Sequence, residues 1–225
     1  MILLGSVVNG GAVVVGGLVG MFVGKLLPER LRTSVMAALS LMTMGIAVPG
    51  LLKSNNALIP IISMVVGTLI GELLDIDSAV NKLGEKLQKR FSGSRVTEGF
   101  VTGSLVFAVG ALAVMGPLES GLQHQHSLLF SKSVIDGVAS IVFASTMGLG
   151  VALSGITVFV VEGSIALLAS VVAPYLGEAV VNEITFVCSL LIVGISLNLL
   201  GATKLRILNM VPAILLPILL CRFMG

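Results

Sequence analysis

Residues 133–175 read SVIDGVASIVFASTMGLGVALSGITVFVVEGSIALLASVVAPY, with Asp136 and Glu162 the only charged side chains in the run. About 20 apolar residues in a helix, at 1.5 Å per residue, cross the roughly 30 Å hydrocarbon layer of a bilayer. The run is too long for one crossing, and Leu153-Ser154-Gly155 is the natural place to divide it. Membrane strands would alternate apolar and polar residues, and runs such as Val106 to Met115 do not, which excludes a β-barrel.

The rest of the chain has the same character. Of its 225 residues, 56% are hydrophobic and 11% charged, against about a quarter charged in an ordinary soluble domain, and mean hydropathy is +1.12. Helical spans are expected near 2–24, 33–52, 57–74, 97–116, 133–153, 157–175, 183–201 and 207–223. The stretch from Met1 to Val23 is uncharged and lacks a basic start, so it reads as a retained first span. Cytoplasmic loops hold an excess of Lys and Arg. With eight spans and both termini outside, Lys25, Arg30, Arg32, Lys82, Lys86, Lys89, Arg90, Arg95, Lys204 and Arg206 fall inside; Lys53, Lys132 and Arg222 fall outside. A seven-span arrangement would move Lys204 and Arg206 outward.

Residues 76–91 place Ile76, Val80, Leu83, Leu87 and Phe91 on one helical face and most of the basic residues elsewhere. This predicts an amphipathic helix on the cytoplasmic membrane surface, or else a solvated connector. It separates two halves that resemble each other. Leu27 to Ile46 matches Leu176 to Ile195 at Leu27/Leu176, Glu29/Glu178, Ser40/Ser189, Leu41/Leu190, Gly45/Gly194 and Ile46/Ile195. The stretch from Ile61 to Leu73 echoes that from Ile207 to Leu219, and Ser104-Leu-Val-Phe-Ala echoes Ser140-Ile-Val-Phe-Ala.

Spans one to three then correspond to spans six to eight, and span four to span five. An odd offset reverses the copies in the membrane, and inverted repeats of this kind are frequent in secondary transporters, with sites near the midplane. The expected organisation is a first repeat at 1–75, a linker at 76–96, a central span pair at 97–155 and a second repeat at 156–225.

Ionisable groups inside spans cost about 2.5 to 3.5 kcal/mol each on insertion scales, so they are functional candidates. Glu162, placed about 9 Å into span six from the cytoplasmic end, reads as a proton, cation or substrate site, or as an acid hydrogen-bonded between helices. Asn9 in span one is its near mate under the repeat. Asp136, in the first turn of span five, serves as a helix-terminal charge or a ligand group. Ser145 and Thr146, ahead of Gly148-Leu-Gly150, present hydroxyls to a ligand or bond back to their own helix. Asn9, Ser145, Thr146 and Glu162 are expected to converge near the midplane.

Gly16, Gly20 and Gly24, then Gly67 and Gly71, recur every fourth residue and permit close helix approach. Pro212 and Pro217 should kink the last span, and Met115-Gly116-Pro117 should end the fourth. Cys188 and Cys221 read as small hydrophobes. His124 and His126 offer two metal ligands, but without a third they are weak evidence for a site. Hydrolase, metalloprotease and nucleotide-binding motifs are lacking, so no catalytic residue, cofactor or metal is expected, and nothing basic or aromatic suits a nucleic acid.

The order of features resembles the bacterial membrane family known as domain of unknown function 554. The resemblance lies in Gly5-Ser-Val-Val-Asn9, Gly16-Gly17-Leu-Val-Gly20, Pro28-Glu29-Arg30, Val109-Gly-Ala-Leu-Ala-Val-Met-Gly116, Lys132-Ser-Val-Ile-Asp136-Gly and Ile141 to Val151. It covers essentially the whole chain, and the span-five motif is the most specific part. Where the family often carries Gln before Gly163, this chain has Glu162, which weakens any proton-coupling role common to all relatives. The resemblance implies a multi-pass transporter in the bacterial inner membrane, with the bilayer and a small solute or ion as partners. A passive channel, a non-transporting scaffold or sensor, and a homo-oligomer remain open.

Overall fold

A computed structural model describes residues 1–26, 28–79, 82, 95–108 and 111–224. Those residues are helical and contain no strand. The principal helices are α1 (Leu4–Lys25), α2 (Glu29–Leu51), α3 (Leu58–Leu74), α4 (Val96–Ala108), α5 (Ala111–Gln123), α6 (Ser127–Met147), α7 (Leu149–Leu167), α8 (Glu178–Leu199) and α9 (Leu216–Met224). A short helical segment, Ile207–Ile214, precedes α9. Five helices are long and apolar enough to cross a membrane, up to seven if each bent pair is one span; α3, at 17 residues, is a shorter apolar helix. Most of the amphipathic 76–91 stretch lies outside the described residues.

The chain forms two compact units. The first comprises Met1–Leu39 and Gly84–Ala173, the second Ser40–Leu83 and Pro174–Gly225. In the first, α1 is the hub, and its glycines explain why. A Cβ on Gly16 would strike Gly137 and Ser140, one on Gly20 would strike Ile141, and one on Gly24 would strike Ser145. The residue numbers rise together, so α1 and α6 run parallel, with backbones touching along the four-residue stripe. Toward α7 the order reverses, with Gly10 against Gly155 and Phe159 and Gly17 against Ala152, so α7 runs antiparallel to α1.

Helices α6 and α7 are therefore two antiparallel rods, and the division falls at Gly148, earlier than Leu153-Ser154-Gly155. Gly148 has φ 71° and ψ −145°, a region open essentially to glycine alone, which permits the chain to reverse across one residue. Against α7, α4 sets Gly99 on Met147 and Val151 and Gly103 on Ser154, so α4 and α7 run parallel.

The fourth span also differs from expectation. It does not end at Pro117, which lies inside α5; α4 and the following helix form a bent pair at 58°. In the second unit, Gly67 meets Ala213 and Gly71 meets Asn209, making α3 antiparallel to the last segment. That segment bends by 43° near its two prolines, as expected. Gly50 meets Ser189 and Thr185, and the Ser196 hydroxyl bonds the Ser40 carbonyl, so α2 and α8 are antiparallel as well. Both cysteines are free thiols.

Large apolar side chains remain exposed on outward faces, among them Val15, Phe22, Ile61, Leu69 and Val134. Exposed apolar surface over several helices whose backbone bonds close internally is what a lipid environment accepts and water does not.

Candidate functional site

Three helices of the first unit bring four polar side chains together. From α1, the Asn9 amide nitrogen donates to Asp136 Oδ2 at 3.1 Å and to Glu162 Oε1 at 2.8 Å. From α6, Lys132 pairs with Asp136 one turn further along, donates to the Phe107 carbonyl of α4 at 2.5 Å, and stands 3.4 Å from Glu162 Oε1. From α7 comes Glu162. Asn9 and Glu162 are 0% exposed, Lys132 5% and Asp136 7%.

The local sequence accounts for this convergence. Gly5 and Gly10 let α1 approach Leu129 of α6 and Gly155 of α7, so Asn9, between them, reaches partners on both helices. Lys132 and Asp136 are four residues apart, the spacing at which helix side chains meet. The Lys132 head also satisfies the carbonyl of Phe107 in the last turn of α4, next to the bend.

Asn9 and Glu162 converge as expected, and Asp136 joins them. Ser145 and Thr146 do not: their hydroxyls bond back to Val142 and Phe143 at 2.7 and 3.0 Å, about 15 Å along α6 from Asp136 at the helical rise. Asp136 is not in a first turn, because α6 begins at Ser127. Glu162 lies about 20 Å from the start of α7, not 9 Å, once the hairpin is placed at Gly148.

Lys132 is the member that sequence reasoning missed. Starting the span at Ser133 made it a loop charge; the i,i+4 relation to Asp136 was the available signal.

The charges do not balance when all three groups are ionised: one ammonium faces two carboxylates. Glu162 Oε2, Asn9 Oδ1 and Ser6 Oγ are buried with no hydrogen-bond partner among the described residues. Ser6 lies on α1 three residues before Asn9, on the same side of the helix. The centre thus offers spare oxygen acceptors and an uncompensated negative charge.

Across residues 4–222 the chain matches the model of the family described as "Protein of unknown function (DUF554)". The chain belongs to this family. Among similar proteins, the "Uncharacterized membrane protein YdfK" of Bacillus subtilis (strain 168) is 30% identical over 219 residues, covering 96% of this chain and 94% of the relative. The "Uncharacterized protein YqgA" of Escherichia coli (strain K12) is 26% identical over 220 residues, covering 95% and 94%. No solved structure matches the chain. Family membership together with the apolar helices makes this a membrane protein.

The second unit has a buried carboxylate of its own. Glu183, 2% exposed, accepts the Ser54 hydroxyl at 2.8 Å and the Asn55 and Asn56 amides at 2.9 and 3.2 Å, so it holds the turn that enters α3. Beside it is a cavity of about 310 Å³ reached by Tyr175, Cys221 and Arg222.

Proposed function

We propose that this protein is a secondary transporter or permease for a small solute or ion in the bacterial inner membrane, with Asn9, Lys132, Asp136 and Glu162 as its working centre. The observation that carries this reading is the burial of three ionisable groups on membrane-length helices. Such groups are costly in a bilayer, and they characteristically mark ion or substrate pathways. Ser145 and Thr146 have no part in it.

We read the chain as an eight-span inverted repeat, with both termini outside as the Lys and Arg distribution favours. Eight crossings result when each bent pair is one span and α3 is another. The pairings expected from sequence then join α1 with α7, α4–α5 with α6, α2 with α8, and α3 with the last segment. Apart from the first part of α2, which belongs to the other unit, each pair lies within one unit, and its members run antiparallel, as copies of opposite orientation should. The breaks in spans four and eight do not follow these pairings. The protein acts without catalysis and needs only the bilayer and its solute.

A thermal-stability screen of the purified protein against cations, pH and small organic anions, run beside Glu162→Gln, tests the reading. A ligand of the folded state raises stability by RT ln(1 + [L]/Kd). A shift present in the wild type and lost in the variant supports it. No shift over a broad panel, with no solute flux in proteoliposomes, sinks it.

A further inference from the structure

Resting on the reading of this centre as a transport site, we infer that its coupling ion is a proton, held on the Glu162 carboxyl and exchanged with water past Asp136. Lys132, Asp136 and Glu162 together carry one surplus negative charge if every group is ionised. A surplus charge in a dry interior is strongly unfavourable, and one bound proton removes it.

The geometry selects Glu162 as the carrier. Asp136 is bonded to the ammonium and to Asn9 through the same oxygen, Oδ2, which stabilises it as the carboxylate. Glu162 receives the Asn9 amide on Oε1 and stands farther from the ammonium, and its Oε2 is buried without a partner. Oε2 is the atom left for the proton. A metal cation is disfavoured there, because the Lys132 ammonium already stands 3.4 Å from the other oxygen of the same carboxyl.

Among the described residues, Lys132 and Asp136 of α6 are the charged groups facing Glu162. Helix α1 presents Asn9, and Glu98 and Glu119 of α4 and α5 are not among the hydrogen-bonding or ion-pairing partners of the centre. Asp136 and Lys132 keep slight exposure while Glu162 has none, so the inferred path of the proton runs on the α6 side. When the proton passes from Oε2 to water, Glu162 becomes a second carboxylate. The ammonium is then drawn by two carboxylates instead of one, and its hold on the Phe107 carbonyl in the last turn of α4 weakens. Protonation is thereby linked to the bent α4–α5 pair.

The test is infrared difference spectroscopy of the full chain in bilayers, with and without carbon-13 glutamate, across neutral and alkaline pH. The expected result is a protonated-carboxyl stretch at neutral pH that shifts with the label and in heavy water, fades as pH rises, and is lost in Glu162→Gln. Absence of that band, or its loss on adding sodium at fixed pH, overturns the inference. Circular dichroism of the variant verifies that it is folded. A titrating band without solute flux under an imposed pH gradient leaves the proton site standing and defeats the transport reading. Solute flux without the band does the reverse.

Discussion

Lys132 and Glu162 meet across two helices, the ammonium 3.4 Å from Glu162 Oε1 while it is bonded to Asp136. Removing the ammonium leaves the Asp136 carboxylate uncompensated beside the protonated Glu162, with only the Asn9 amide bonded to both. Lys132→Met is therefore expected to cost about 3 to 5 kcal/mol, the range for stripping one partner from a buried pair. The double variant Lys132→Met with Asp136→Asn should recover most of it, since the surplus charge is gone. Glu162→Gln mimics the protonated acid and should change stability by no more than about 1 kcal/mol. Thermal unfolding in detergent of all three variants measures these differences, and a stable Lys132→Met would contradict the account.

Glycine positions on α1 differ sharply in what surrounds them. Gly20→Val would drive its side chain into the Ile141 backbone, which cannot yield as a flexible side chain would, and α1 should separate from α6. The expected outcome is loss of the folded protein on size-exclusion chromatography. Gly11 has nothing within 4 Å of a Cβ, so Gly11→Ala should be neutral or stabilising by up to about 1 kcal/mol through helix propensity.

Periodicity of small residues was legible in the sequence because contact between helices requires it, and the α1 stripe and Gly67 with Gly71 both lie on backbone. The charges of the centre were half legible. Asn9 and Glu162 stood out as polar residues in apolar runs, whereas Lys132 sat where a span boundary was uncertain by a turn. Ser145 and Thr146 show the limit from the other side, since a hydroxyl that bonds back to its own helix and one that awaits a ligand have the same sequence. The hairpin at Gly148 was obscured for a related reason: several glycines fall within one turn or two, and only the backbone angle distinguishes the one that reverses the chain.

That reversal can be tested. Gly148 combines φ 71° with ψ −145°, which lies outside the left-handed helical region that Asn tolerates. Gly148→Ala and Gly148→Asn should both destabilise by about 1 to 3 kcal/mol. Gly201, φ 73°, ends α8 with the Ala202 amide bonded to the Leu197 carbonyl, a helix-capping turn in which Asn is the usual substitute. Gly201→Asn should accordingly cost less than Gly148→Asn in the same unfolding assay.

The end of α3 makes a prediction about pH. Arg206 donates to Glu72 at 2.8 Å and to Asp75 at 2.5 Å, which ties the segment after α8 to the α3 terminus. A hydrogen bond from Ser78 above all holds the Asp75 carboxyl below the usual carboxylate range; desolvation opposes it next, and the Arg206 charge and hydrogen bond add to the lowering. Because the folded form releases its proton more readily than the unfolded one, the contribution of this contact is fully present above the ordinary Asp value. It is lost as pH falls through the lowered one. Carbon-13 NMR of labelled aspartate should show Asp75 titrating below the free amino acid, with the midpoint rising in Ser78→Ala and, by less, in Arg206→Gln. Exchange of the amides around Glu72 and Asp75 should quicken in Arg206→Gln at neutral pH and remain slow around Asn9, where the contacts belong to the other unit. Equal quickening at both places would mean that the two units do not hold their structures independently.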